Sequence, residues 1–288
     1  MSETSYSRPI YRAKWVRLIL LIFLGIVCGL ALAHAFPRVG IFLHVDTELY
    51  ALGALVGLIA SWLGLGGSIL LVPALLSLPG SPLSPHQIAG TGAVQSMTTA
   101  FIGFLSYRRQ GLVKWRMAWN MALFGVVGAG LGAIMSAHWH RTGIGFAFAG
   151  VSCLAAVSLI FPRQIRVPPK YRYALYGTTL LIGIMGGITG TPGAFILTPM
   201  MLIFTGRPLK ECLGTVLGAI FIMALVSSTI KFHANQIAWI PTSVLLAGAI
   251  PAAWVGPQLA TITPIRWLRF GLIMAILGAT ALTIAHAI

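Results

Sequence analysis

The 288-residue chain is 58% hydrophobic and only 8% charged, with a mean hydropathy of +0.92. A soluble domain carries about a quarter charged residues, so this composition excludes one and points to a polytopic membrane protein. Nineteen Lys/Arg face four Asp/Glu for a formal charge of +15, but the cations sit in short loops between apolar segments, which marks cytoplasmic loops rather than a nucleic-acid surface.

Residues 1–17 form a basic tail (Arg8, Arg12, Lys14, Arg17), followed by an apolar run at 18–36. Ala33-His34-Ala35 resembles a signal-peptidase site, but the run is longer than a signal core and reads as an uncleaved transmembrane helix. Further apolar segments follow at 48–78, 87–106, 117–137, 142–161, 173–205, 211–230, 238–258 and 266–286, with Gly and Pro at most boundaries. Cys28, Cys153 and Cys212 lie in or beside these segments without metal-ligand spacing and read as inert buried thiols.

The segments 48–78 and 173–205 are too long for one crossing. As a single helix the first would span about 46 Å against a hydrocarbon core of about 30 Å. Each carries a helix-breaking string near its middle: Gly64-Leu65-Gly66-Gly67-Ser68 before Pro73, and Gly190-Thr191-Pro192-Gly193 before Pro199. Each is expected to be a hairpin of a longer and a shorter helix. Loop charge supports this. Only with a hairpin at 48–78 do the basic loops holding Arg108, Arg109, Lys114 and Arg116, and Arg163, Arg166, Lys170 and Arg172, fall on the cytoplasmic side. The same count puts the N-terminus inside and the C-terminus outside, with Lys231 as one basic residue on the outer side.

The two strings belong to a longer repeat. Gly57, Gly64, Gly67, Pro73, Gly80 and Pro82 match Gly183, Gly190, Gly193, Pro199, Gly206 and Pro208 at one offset; Gly90, Thr91, Trp115 and Gly132 match Gly214, Thr215, Trp239 and Gly256 at another. The first unit (48–161) starts outside and the second (173–286) inside, so the fold expected is an all-α inverted repeat. Each unit is a broken hairpin plus three helices, and one extra helix precedes the pair. Substrate in such folds binds near the bilayer midplane between the units.

The Gly64–Ser68 motif before Pro73, its degenerate copy before Pro199, and the Gly-Thr pairs at 90 and 214 resemble the sulfite exporter TauE/SafE family over residues 48–286. That resemblance implies a transporter of sulfite or organosulfonate anions in the bacterial inner membrane, and no enzyme. Ser68 stands where a third glycine is expected and Pro192 interrupts the second motif, so the substrate need not be inherited unchanged.

The residues allow an anion site. A helix starting at a Gly-rich break presents unpaired N–H groups and about half a positive charge there. Two such starts, at Ser68 and Ala194, would hold an oxyanion without a buried Lys or Arg. The candidate contacts are Gly64, Gly66, Gly67, Ser68, Thr91, Gln95, Gly190, Thr191, Pro192, Gly193 and Thr215. Thr91, Gln95 and Thr98 share a face of an unusually polar helix, either to touch substrate or to hydrogen-bond neighbouring helices. The competing reading of the glycines is close helix packing. Asp46, Glu48 and Glu211 lie at segment ends and Glu3 in the tail, so no carboxylate relay is expected, and neither a cofactor nor a bound metal. Transport of metal cations or other small solutes is the alternative function. An intramembrane enzyme fits less well, because no catalytic fingerprint occurs.

Overall fold

The computed structural model describes residues 43–77, 83–136 and 172–287. The basic tail, the segments expected at 18–36 and 142–161, and the basic loop after the latter lie outside the described residues. Those described form nine α-helices: α1 (Leu43–Leu63), α2 (Ser68–Ser77), α3 (Pro85–Arg109), α4 (Trp115–Met135), α5 (Arg172–Thr189), α6 (Ala194–Thr205), α7 (Leu209–His233), α8 (Trp239–Ile262) and α9 (Ile265–Ala287). Both over-long segments are thus broken where the glycine strings fall.

Local chemistry sets the boundaries. Before α3, Ser84 Oγ accepts the Gln87 N–H at 3.3 Å and Gln87 Oε1 accepts the Ser84 N–H at 2.9 Å, with Pro85 in the first turn. This capping box satisfies two donors at the helix start. Helix α7 begins after Pro208, carries Glu211 in its first turn and Lys231 and His233 in its last, complementing the helix dipole at both ends.

Helices α3, α4, α7 and α8 are each long and apolar enough to cross a membrane. Their outer surfaces are apolar as well: Leu123, Val127, Leu131 and Ile134 of α4 and Phe270, Met274 and Leu277 of α9 are all exposed. A contiguous apolar surface of this kind is suited to lipid tails. Exposed Trp115, Trp119 and Trp267 lie near one end of these helices and Trp239 near the other, the placement of interfacial aromatic anchors.

Basic residues far apart in sequence meet at one end. Glu211 pairs with Arg207 at 3.0 Å and Lys114 at 3.7 Å, Lys210 Nζ donates to Thr261 O at 2.7 Å, and the Arg109 guanidinium lies 5.0 Å from the Trp254 ring centre.

Glycine contacts fix how the helices run. Gly53 meets Leu245, Gly57 meets Ala249 and Gly256 meets Leu58 and Ser61, ascending on both chains, so α1 and α8 are parallel. Gly183 lies against Gly125 and Gly128, and Gly187 against Ala129 and Ala133, so α4 and α5 are also parallel. Between them α3 and α7 run antiparallel: Gly103 meets Leu217, Gly214 meets Tyr107, and Gly90 meets Gln236 just past α7. Two of these contacts recur at positions matched by the sequence repeat. Gly57 on Ala249 matches Gly183 on Gly125, and Leu58 O on Gly256 matches Ile184 O on Gly132. With no aqueous hydrophobic drive between helices in lipid, such small-residue seams supply the packing.

Candidate functional site: two helix breaks against α3

The first break follows from three glycines with positive φ, Gly64, Gly66 and Gly67. At Gly67, where φ is +98°, a side chain would be strained, and its Cβ would stand 2.7 Å from Thr99 Oγ1 and 3.4 Å from Gln95 Cγ. The backbone therefore lies directly against α3. Thr99 Oγ1 shares its proton between Gly66 O at 2.9 Å and Gln95 O at 2.8 Å. Ser96 Oγ accepts the Ser68 N–H at 3.1 Å and donates to Ser68 Oγ at 2.6 Å. Neither bond uses the proton of the Ser68 hydroxyl, which stays available as a donor. Gly64 packs instead on Leu213 of α7.

The second break runs from Gly190 to Gly193. Pro192 cannot continue α5 and packs against Gly186, while Gly193 (φ +76°) caps α6 and accepts the N–H groups of Ile196 and Leu197. Thr191 and Thr189 share a hydroxyl hydrogen bond of 2.6 Å. Gly190 presses on Ala89 of α3.

The breaks meet. A Cβ on Gly66 would lie 3.3 Å from Ala194 Cβ, and one on Gly92 of α3 would lie 3.3 Å from Ser68 Cβ and 3.4 Å from Gly190 O. The starts of α2 and α6 are thus neighbours on one wall of α3. In that wall Gln95 is fully buried, and neither Oε1 nor Nε2 has a protein partner. Leaving both ends of a buried amide unpaired costs about 1–3 kcal/mol for each lost partner, and native structures tolerate few such groups.

Of the residues singled out by sequence, Gly66, Gly67, Ser68, Gln95, Gly190, Thr191, Pro192 and Gly193 fall at or beside this junction. Thr91 and Thr215 do otherwise. Thr91 shares a 3.0 Å hydrogen bond with Thr242 of α8. Thr215 Oγ1 donates to Glu211 O at 2.7 Å and accepts the Lys114 N–H at 3.0 Å, at the basic end. The expected Thr91–Gln95–Thr98 face also needs correcting. Thr98 donates back to Val94 O, and the face on the first break is Gln95, Ser96 and Thr99. The small residues Gly92, Ser96 and Thr99 at helical spacing were the signal for that face. Lys231, placed on the outer side by the loop count, is fully buried near the end of α7, at the end of the protein opposite the basic loops.

The wall belongs to one half of the chain. The counterparts of Gln95, Ser96 and Thr99 on α7 are Ala219, Ile220 and Met223, all buried and apolar.

Apolar spans, lipid-facing surfaces and an interior polar junction between broken helices define a multi-pass α-helical membrane protein of the transporter class. A family model described as sulfite exporter TauE/SafE matches residues 49–283, and the chain belongs to that family. A "Probable membrane transporter protein" of Xylella fastidiosa (strain Temecula1) is 28% identical over 218 residues, covering 73% of this chain and 82% of the relative. Two Bacillus subtilis proteins, "Probable membrane transporter protein YunE" and "YjnA", are 23% and 22% identical, covering 73% and 78% of this chain and 85% and 94% of their own lengths. No solved structure matches.

Proposed function

We propose that this chain is a secondary transporter of small anions, sulfite or organosulfonates, working by alternating access of an inverted repeat in the bacterial inner membrane. The single observation that carries the reading is Gln95, a fully buried amide without protein partners beside the neighbouring starts of α2 and α6. A sulfur oxyanion accepts several hydrogen bonds at once. The Gln95 Nε2 group and the Ser68 hydroxyl are the donors it would meet, with both helix dipoles favouring negative charge. Glycines at 66, 67, 190 and 193 allow the close packing that brings the two breaks together. The same positive ends oppose a cation, which speaks against the metal-transport alternative.

The paired seams support the repeat. A two-fold axis in the membrane plane makes a helix antiparallel to its own counterpart, as α3 is to α7, and exchanges α1–α8 contacts for α5–α4 contacts. The clustered basic loops support a cytoplasmic placement for that end, which puts the N-terminus inside and the C-terminus in the periplasm.

With donors rather than titrating carboxylates at the junction, membrane potential is the coupling force proposed. One negative charge moving outward across 100 mV gains about 2.3 kcal/mol, a gradient of about fiftyfold. Sulfite flux in proteoliposomes at clamped potential tests this: flux should rise with inside-negative voltage. Flux that follows a pH gradient and ignores voltage would refute the coupling, and absence of sulfite or sulfonate flux under any gradient would refute the substrate.

A further inference from the structure

A cation lies inside the protein at the end of α7, away from the basic loops. Lys231 is fully buried, and Nζ donates to Ser136 Oγ at 3.0 Å and Gln236 Oε1 at 3.4 Å. Both partners are neutral, and no carboxylate pairs with this ammonium among the described residues. One turn back on the same face, Ser227 and Ser228 are buried and their hydroxyls have no hydrogen-bond partner. Three polar side chains in succession on one interior stripe are therefore incompletely satisfied by the protein.

Gln236, which holds this ammonium, is linked to the second break through the start of α3. Gln236 O touches Gly90 of α3, and the preceding Ala89 touches Gly190. The counterpart of Lys231 in the first half is Tyr107, also fully buried, whose hydroxyl donates to Trp62 O at 3.4 Å beside the first break. The two halves thus differ in charge at matched positions, and the cation is on the half whose wall is apolar. A buried ionisable group in a membrane interior normally marks a solute pathway.

From this arrangement we infer that Lys231, with Ser227 and Ser228, forms a second anion-binding station, taking the transported oxyanion between the helix breaks and the end of the protein opposite the basic loops. The inference rests on the anion-transport reading above. Ammonium supplies the charge complement, and the two serine hydroxyls supply hydrogen bonds to oxyanion oxygens.

The test is direct binding of sulfite, and of methanesulfonate as a non-oxidising stand-in, to the purified full chain in nanodiscs, with melting temperature measured in parallel. Lys231→Gln should weaken binding about tenfold through loss of a charge-assisted contact. Ser227→Ala, which removes a hydroxyl with no protein partner, should weaken it about threefold without lowering the melting temperature. If Lys231→Gln does not fold, Ser227→Ala and Ser228→Ala decide. Wild-type affinity in the serine variants and in any folded Lys231→Gln, together with loss of binding in Gly67→Leu, would overturn the station and leave the break site standing. No binding to the wild-type chain would overturn both.

Discussion

Gly66 and Ala194 belong to opposite halves of the chain, yet a Cβ on the first would sit 3.3 Å from the Cβ of the second. Two helices that begin far apart in sequence therefore begin side by side. Both starts lie against α3, where Gly92 approaches Ser68 and Gly190. Everything expected of the site depends on this approach being close.

Gly67→Ala should abolish sulfite flux while the protein still inserts. The φ of +98° disfavours any side chain by roughly 1–2 kcal/mol, and the new methyl would crowd Thr99 Oγ1. Flux and melting temperature measured together check this. Wild-type flux in the alanine variant would mean that the break is not where solute passes.

Gln95→Leu is expected to separate stability from function. Removing an amide that lacks protein partners should leave the melting temperature unchanged or raise it, by a gain of up to about 1–3 kcal/mol. Sulfite affinity should nevertheless fall about tenfold, the loss of one good hydrogen bond to an anion. A lower melting temperature with unaltered affinity would make Gln95 an ordinary packing residue.

Thr91→Val tests the reassignment of that residue to packing. It removes the hydrogen bond to Thr242, worth about 0.6 kcal/mol between membrane helices, and should leave the KM for sulfite where it was. A raised KM at unchanged stability would return Thr91 to the site.

Gly128→Leu should prevent folding. The Cβ there collides with Leu180 O, a backbone atom with no freedom to move aside, so α4 and α5 must separate along the whole seam. Size-exclusion chromatography of the expressed variant should show aggregate in place of a monodisperse peak. Gly177, on α5 but with open space around it, should accept alanine.

Sequence reasoning located the breaks because helix-breaking strings inside over-long apolar segments have few physical explanations. It inferred a repeat from Pro, Trp and Gly-Thr matches in order. It could not tell which face of α3 met the breaks. Thr91, Gln95 and Thr98 are as well spaced as Gln95, Ser96 and Thr99, and only the position of α8 decides that Thr91 turns toward Thr242. The burial of Lys231 was not legible for a related reason. A loop charge count says nothing of exposure, and Ser136 and Gln236 hold this ammonium inside. Boundary cues were more reliable, since Ser84-Pro85 and Gly111 mark the ends of α3 within a few residues.

The contrast between Gln95, Ser96 and Thr99 on α3 and Ala219, Ile220 and Met223 on α7 bears on how duplication diverges. On the proposed repeat and site, one copy supplies the contacts to cargo, and its twin is released from that chemical duty and must only keep its shape. Random substitution across the chain should therefore strike unevenly: residues 92–99 tolerate few replacements of any kind, while 216–223 accept one alkyl group for another so long as volume is held.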